Sequence, residues 1–305
     1  MCRRTAVEGC RRTASAWLAV TMSTTEDPFA RVVRVEQAES TNTVLREAAA
    51  ADPDAWPHLS VLVADHQTAG RGRSGRSWVT PPGAALTASV LLRPRVPVDR
   101  APWLTLLAGL AVVRALRSLV PEAESVGLKW PNDILLTDAG AELVGWGTAR
   151  KVGGILTELL PGSTETPTAV VGIGVNLAQD VADLPVPSAT SLAVAGLPVP
   201  PAEELLDAVG RALRRLVSVW EEHAGDAQAA GLRDAVSADL LTLGRPVQVD
   251  RPGQEPLHGT AVALDDDGRL LVRDAAGTTH VVLAGDVHHV RTTGPAGGHP
   301  GEEAR

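Results

Sequence analysis

Three glycines and three arginines share Gly70-Arg71-Gly72-Arg73-Ser74-Gly75-Arg76, and Ser77-Trp78 closes the stretch. The glycines leave the backbone free to wrap a ligand and offer its N–H groups, while the guanidinium groups add fixed positive charge. Such a loop suits a polyanion. A solvated basic loop would use the same residues, but the flat indole of Trp78 can stack on a purine ring as well as pack in a core. Phosphate and purine together point to a nucleotide. A second polar concentration, Lys129-Trp130-Pro131-Asn132-Asp133, gathers an ammonium, an amide and a carboxylate where a proline interrupts an apolar run. That is more polar chemistry than a turn requires. Lys151 stands at the mouth of a further strand, a position that in isolation reads as surface charge. Gly172 and Gly174 thin a buried strand so that something flat can lie against it.

These residues need elements to hold them. Residues 32–35 and 61–65 read as strands, and the second feeds His66-Gln67-Thr68-Ala69 and the arginine loop. Between them, Ser40 or Thr41 can cap a helix over 44–50; the same helix start, with its free N–H groups, also suits an anion or amide. A strand over 84–92 ends at the turn from Pro94 to Pro97. A long helix follows over 99–119, with Leu104, Leu107, Ala111, Val112 and Leu116 on its buried face. Residues 137–150 form a Gly- and Ala-rich excursion before strands over 151–160 and 169–177. Pro198 to Pro201 introduce an amphipathic helix over 202–223, and a second helix runs to Leu240. From Gly244 short strands over 246–250, 258–264, 269–273, 280–283 and 288–291 alternate with tight turns, the pattern of a small β-barrel. His288 and His289 lack the spaced partners of a metal site.

The composition narrows the classes. At 305 residues the chain can bury a substantial core. No apolar run approaches the roughly 20 residues needed to cross a bilayer, so no membrane partner is expected. The formal charge of −8 argues against a general nucleic-acid binder and makes the arginine loop a local site. Both cysteines, Cys2 and Cys10, lie in the first ten residues, so neither a disulfide framework nor a Cys-rich metal site is available. A reducing cytoplasm fits. The Arg-rich N-terminus has too short an apolar patch for a secretory signal, and translation can also begin at Met22.

The ordered set Ser40-Thr41-Asn42, Gln67, Gly70 to Arg76, Lys129 to Asp133, Lys151-x-Gly153-Gly154-Ile155-Leu156-x-Glu158 and Gly172-Ile173-Gly174-Val175-Asn176 resembles the biotin–protein ligases. The match runs from about Val32 to Arg291. Five motifs in the family's order are far more specific than any one of them. With some 30 residues ahead of the catalytic part there is no room for the DNA-binding domain of the family's repressor members. One departure is the stretch from Ala139 to Arg150, longer than the usual short turn. The resemblance implies an α+β fold, a seven-stranded mixed sheet with helices on one side and an SH3-like C-terminal barrel. It divides the chain into a disordered tail at 1–30, a catalytic domain at 31–241, the SH3-like domain at 242–293 and a disordered tail at 294–305.

It also implies a reaction: biotin and ATP give biotinyl-5′-AMP and pyrophosphate, and the biotinyl group then passes to a lysine of a biotin carboxyl carrier domain of an acyl-CoA carboxylase. A carboxylate and a phosphate repel, so cations and Mg²⁺ must neutralise them. Lys151 and Arg73 are the expected catalytic cations. Asp133 is expected near the metal and the acceptor lysine. Biotin is expected on Ser40, Thr41, Asn42, Gln67, Arg71, Gly72, Arg73 and Lys151, over a bare floor of Gly153, Gly154, Gly172 and Gly174. The nucleotide is expected on Gly70, Arg71, Gly75, Arg76, Trp78, Lys129, Asn132 and Asn176. A lipoate–protein ligase shares the fold but lacks the arginine loop, and a nucleotide-binding regulator would draw support from the arginines alone. Both a monomer and a weak homodimer are compatible with the sequence.

Overall fold

A computed structural model describes residues 17–22, 27–162, 164–251, 253–283 and 285–289. The larger sheet takes β1 (Trp17–Met22), β2 (Arg31–Ala38), β3 (Ser60–Gln67), β4 (Ala85–Leu92), β5 (Val126–Lys129), β6 (Asp133–Leu136), β7 (Arg150–Leu159) and β8 (Ala169–Asn176). Their order across the sheet is β1-β2-β3-β4-β8-β7-β6-β5. β2 and β3 run parallel and the other neighbours antiparallel, so the sheet is mixed. Strands β2 to β8 make the seven that were expected.

The eighth, β1, falls inside the expected N-terminal tail. It pairs antiparallel with β2, Val20 opposite Val33 and Met22 opposite Arg31, and so covers an edge whose N–H and C=O groups would otherwise stay open. The end of the same expected tail is also part of the core. Phe29 is 1% exposed and lies against Gly210, where a Cβ would come within 2.5 Å of its ring.

Alternation along β4 separates two cores. Leu86, Ala88, Val90 and Leu92 join a cluster with α2 (Trp103–Leu119) and α3 (Ala202–Glu222), whereas Leu91 joins Val33, Val35, Leu45 and Ala49. Leu45 and Ala49 belong to α1 (Thr41–Ala51). The long helices thus share one face, as expected, and α1 crosses the other. The face predicted for α2 is buried, but so are Leu106, Leu110, Val113 and Ala115 around it, because the helix packs against both the sheet and α3. Each fully buried leucine or valine among them contributes about 1.5–3 kcal/mol.

After α4 (Leu232–Asp239) the strands β9 (Pro246–Asp250), β10 (Leu257–Leu264), β11 (Leu270–Arg273), β12 (Thr279–Val282) and β13 (Asp286–His289) form an antiparallel sheet in the order β12-β11-β10-β9-β13. Four starts lie within two residues of the expected ones and the fifth coincides with it; residues 290–291 of the last expected strand lie outside the described residues. The two sheets share one hydrophobic cluster, since Val247, Val249 and Val272 join that of α2. The turn at 265–268 fastens the junction. Trp103 Nε1 donates to Asp266 O at 2.8 Å, Trp130 Nε1 to Gly268 O at 3.0 Å, and Arg100 pairs with Asp267 at 3.0 Å.

Candidate active site

A cavity of about 550 Å³ opens over the sheet face that carries α1. At the helix start Ser40 is the N-cap residue but makes no side-chain cap bond. The free N–H of Thr41 instead donates across the sheet to Gln67 Oε1 at 2.7 Å, with Thr41 Oγ1 3.1 Å from the same oxygen. Ser89 Oγ lies 2.7 Å from Thr41 Oγ1 and 2.6 Å from Asn42 Oδ1. Asn42 Nδ2 donates to Leu156 O at 3.1 Å and to Glu158 Oε2 at 2.7 Å. One wall is therefore a preorganised, mostly neutral hydrogen-bonding network, suited to an amide-like ligand. The glycine of β8 nearest to it is obligatory: a Cβ on Gly172 would come within 2.5 Å of Asn42 Oδ1.

The arginine loop closes on itself through Trp78 N–H to Gly70 O at 2.9 Å and Gly72 N–H to Arg76 O at 2.6 Å. Ser74 and Gly75 take positive φ at its tip. Arg73 Nη1 donates to Asn132 Oδ1 at 3.2 Å, which ties the loop to the β5–β6 turn, and Asn132 Nδ2 donates on to Ile155 O at 2.8 Å. Arg71 lies 3.7 Å from Glu39. The Trp78 indole lies on Gly174, whose hypothetical Cβ would stand 2.6 Å from two ring carbons. Strand β8 is thinned, as the sequence suggested, and the flat groups resting on it are the protein's own Asn42 and Trp78. The Trp78 Nε1 donor is buried without a partner among the described residues.

The charged centre is Asp133 between two lysines. Lys151 Nζ lies 2.5 Å from Oδ1 and Lys129 Nζ 3.6 Å from Oδ2. Burial alone would raise the Asp133 carboxyl, but the two ammonium groups beside it hold it below the usual carboxylate range. Lys151 Nζ also stands 5.9 Å from the Trp78 ring centre, and Lys129 Nζ 5.0 Å from that of Trp146. Asn176 is committed to its surroundings, donating to Thr190 O at 2.9 Å and accepting from Gln179 at 2.8 Å.

Ser40, Thr41, Asn42, Gln67, Arg71, Gly72, Arg73, Arg76, Trp78, Lys129, Asn132, Asp133, Lys151, Gly154, Gly172, Gly174 and Asn176 all line this cavity. Three expected residues do not line it. Gly70 closes the loop, where a Cβ would meet Trp78 O at 2.2 Å; Gly75 is at the loop tip; Gly153 faces the α2 side, against Ile134. Sequence reasoning missed Thr87, Ser89, Trp146, Val186 and His288, which reach the site only through strand pairing or from loops and the second sheet. The donor set does not fit a resident divalent metal. No three His, Cys, Asp or Glu side chains cluster for one among the described residues, and both Asp133 oxygens face lysines.

Comparison with known proteins places this arrangement. The Biotin/lipoate A/B protein ligase family matches residues 34–176, and the Biotin protein ligase C terminal domain matches residues 242–290. The biotin–[acetyl-CoA-carboxylase] ligase of Mycobacterium tuberculosis is 40% identical over 262 residues, 84% of this chain and 88% of that protein. The biotin protein ligase from Aquifex aeolicus in complex with biotin and ATP superposes with a TM-score of 0.63 at 26% identity, over 84% of this chain and 97% of that one. The Leishmania major enzyme in complex with biotinyl-5-AMP gives 0.53 at 26% identity, over 83% and 98%. Fold and site thus define a protein ligase of the biotin and lipoate class. Within that class, the chain belongs to the biotin protein ligase family.

Proposed function

We propose that the chain condenses biotin with ATP to biotinyl-5′-AMP and then transfers the biotinyl group to a lysine of a carboxyl carrier domain of an acyl-CoA carboxylase, in the cytoplasm. Its relatives carry the names of such ligases, and the Aquifex aeolicus structure holds biotin and ATP. The observation that carries the reading is Lys151, Asp133 and Lys129 in one cavity with the Thr41–Asn42–Gln67 network and the Trp78 indole. That combination supplies a seat for a neutral ring, a seat for a purine and cations between them.

In the first step a biotin carboxylate oxygen bonds to the α-phosphorus and the bond to the β-phosphate oxygen breaks, so pyrophosphate leaves. Lys151, Arg73 and Lys129 offset the repulsion between the two anions, and they do so in a half-buried site where charge is weakly screened. Asn132 holds Arg73 on the cavity wall. Trp78 stacks on adenine, and Asn176, oriented by Gln179 and Thr190, has its second amide hydrogen to give to the base. Biotin lies along Ser40, Thr41, Asn42 and Gln67 with Gly154 on the same cavity, while Gly172 and Gly174 give Asn42 and Trp78 the room to reach it. Mg²⁺ would arrive with the ATP phosphates and supply further positive charge there. In the second step the neutral acceptor amine attacks the acyl carbon, the bond to the AMP phosphate oxygen breaks, AMP leaves, and the amine's proton passes to solvent.

The test is pyrophosphate release from ATP and Mg²⁺ with biotin, with lipoate or with neither. Release that requires biotin, followed by labelling of a purified carrier domain, is expected. Release driven by lipoate would transfer the chain to the sister activity, and nucleotide binding without release would make it a regulator.

A further inference from the structure

Between β6 and β7 the chain leaves the sheet over residues 137–149, and this excursion is built rather than loose. The Arg150 guanidinium, in a residue 8% exposed, donates to the carbonyls of Ala141, Gly147 (3.1 Å) and Ala149 (2.8 Å). Ala139 N–H bonds to Thr148 O at 3.0 Å, and Leu143 bridges Gly147. Gly145 and Gly147, both at positive φ, bracket a single large side chain, Trp146. That side chain lines the nucleotide cavity, whereas Val144 at the tip is 98% exposed.

What Trp146 meets there is an ammonium. Lys129 Nζ stands 5.0 Å from the indole centre, in a side chain only 9% exposed, and its distance to Asp133, 3.6 Å, makes it the looser of the two lysine pairs. A long, flexible lysine side chain tends to swing its ammonium toward water. The face of an indole attracts the charged form and is indifferent to the neutral one, so it favours an ammonium kept in place without neutralising it. A carboxylate in that position would compete with an arriving phosphate. An indole does not.

We infer that Trp146 is a positioning residue for Lys129, so that the 137–149 loop takes part in holding the ATP phosphates. This deepens the ligase reading above and rests on it for the identity of the ligand. The Trp146→Ala variant is expected to raise the KM for ATP by about 3- to 30-fold, the span of a cation–π contact from exposed to desolvated. Its biotin KM should stay within about twofold, because the wall of Thr41, Asn42 and Gln67 does not use Lys129, whereas kcat falls as well in so far as the ammonium offsets charge in the first step. The Trp146→Phe variant, which keeps a π face, should recover most of the loss, and Val144→Ala in the same loop should show none.

The deciding measurement is a double-mutant cycle with Lys129→Met, read both as KM for ATP and as ATP dissociation constant by calorimetry. If the indole acts through the ammonium, Trp146→Ala changes ATP binding by less than about twofold when Lys129 is gone. An undiminished loss in that background would make Trp146 a packing residue or a direct nucleotide contact and overturn the proposal, as would no loss in either background. A wild-type protein that releases no pyrophosphate would sink the ligase reading, whereas the coupling would still be read from the ATP dissociation constants.

Discussion

Asp133 is an anion held between two cations, and that limits what it can do in a ligase. Because Lys151 and Lys129 overcome the cost of its burial, it stays ionised far below the range in which it could take a proton from an acceptor amine of pKa about 10.4. On the ligase reading proposed above, it would orient Lys151 and draw the acceptor ammonium inward. Replacing Asp133 with Asn leaves two ammonium groups facing each other in a half-buried site, which should cost about 2–3 kcal/mol of stability and more than tenfold in pyrophosphate release. The sign with pH follows from the lowered carboxyl. Its stabilisation is complete above the unfolded value near 4 and is lost only as pH falls through the lower folded value. Urea midpoints of wild type and Asp133→Asn should therefore differ by the same amount at pH 8 and pH 6 and converge in strong acid; equal midpoints at neutral pH would show that the pairing contributes nothing. Lys151→Ala should fold and fail at the first step, since its side chain is partly exposed and its ammonium makes charge contacts rather than core packing; a folded variant with near-normal pyrophosphate release would refute this. Its local sequence alone reads Lys151 as a surface charge. The contact that gives it a purpose crosses the β6–β7 pairing, where Leu135 lies opposite Lys151, and no local spacing reports a cross-strand neighbour.

The arginine loop is tied to the β5–β6 turn by Arg73 and Asn132, so Arg73 is placed to act as a latch on whatever lies beneath it. An acyl adenylate is a mixed anhydride that water and stray amines attack, so it must be retained between half-reactions. Arg73→Gly removes a charged donor and loosens the loop, a combined loss of about 2–4 kcal/mol in retention, or about 30- to 1000-fold in release rate. The variant should still form the adenylate but label serum albumin at high enzyme concentration, and an unchanged adenylate lifetime without albumin labelling would rule out the latch. Strand β8, by contrast, is a fixed seat. Gly174→Ala puts a methyl group where the Trp78 indole rests, so the ring must shift, at about 1–3 kcal/mol, and ATP binding should weaken by about tenfold while the far-ultraviolet circular dichroism stays that of wild type. Unchanged ATP affinity would mean that the indole has another way to meet the base. Much at this scale was legible, since period-two alternation and turn residues located β2 to β4 and the strands from Pro246 onward. The rest was not, for physical reasons. Helix α1 begins at Thr41, where Gln67, at the far end of the next strand, accepts its first N–H. Strand β1 exists through an edge it can cover, and the direction in which Trp146 points depends on a guanidinium that gathers three carbonyls.

Across the whole molecule, the two sheets are one structure. Turn chemistry alone marked the C-terminal strands, but their partnership with the catalytic part runs through indoles that composition cannot orient. Trp130 stands between Lys129 and Asn132 in the charged motif, its backbone N–H donates to Thr242 Oγ1 at 3.0 Å, and its indole N–H donates to Gly268 O at 3.0 Å. Trp103, fully buried on α2, reaches Asp266 O in the same turn, and Arg233 near the start of α4 pairs with the Asp266 carboxylate at 2.8 Å. Deleting residues 244–305 would leave two indole donors and a face of α2 uncovered, and would release the segment that places Lys129, Asn132 and Asp133. The loss should therefore extend beyond carrier docking. Adenylate formation is expected to fall with transfer, by a similar factor, because both half-reactions use the same charged centre. Trp130→Phe isolates the cause, since it removes one hydrogen bond worth about 1 kcal/mol, or about fivefold, while keeping the ring. Pyrophosphate release and carrier labelling should drop together in that variant, by a few-fold each, with a lowered melting temperature. If labelling alone declines, the second sheet serves the carrier and the junction at Gly268 has no part in holding the lysines.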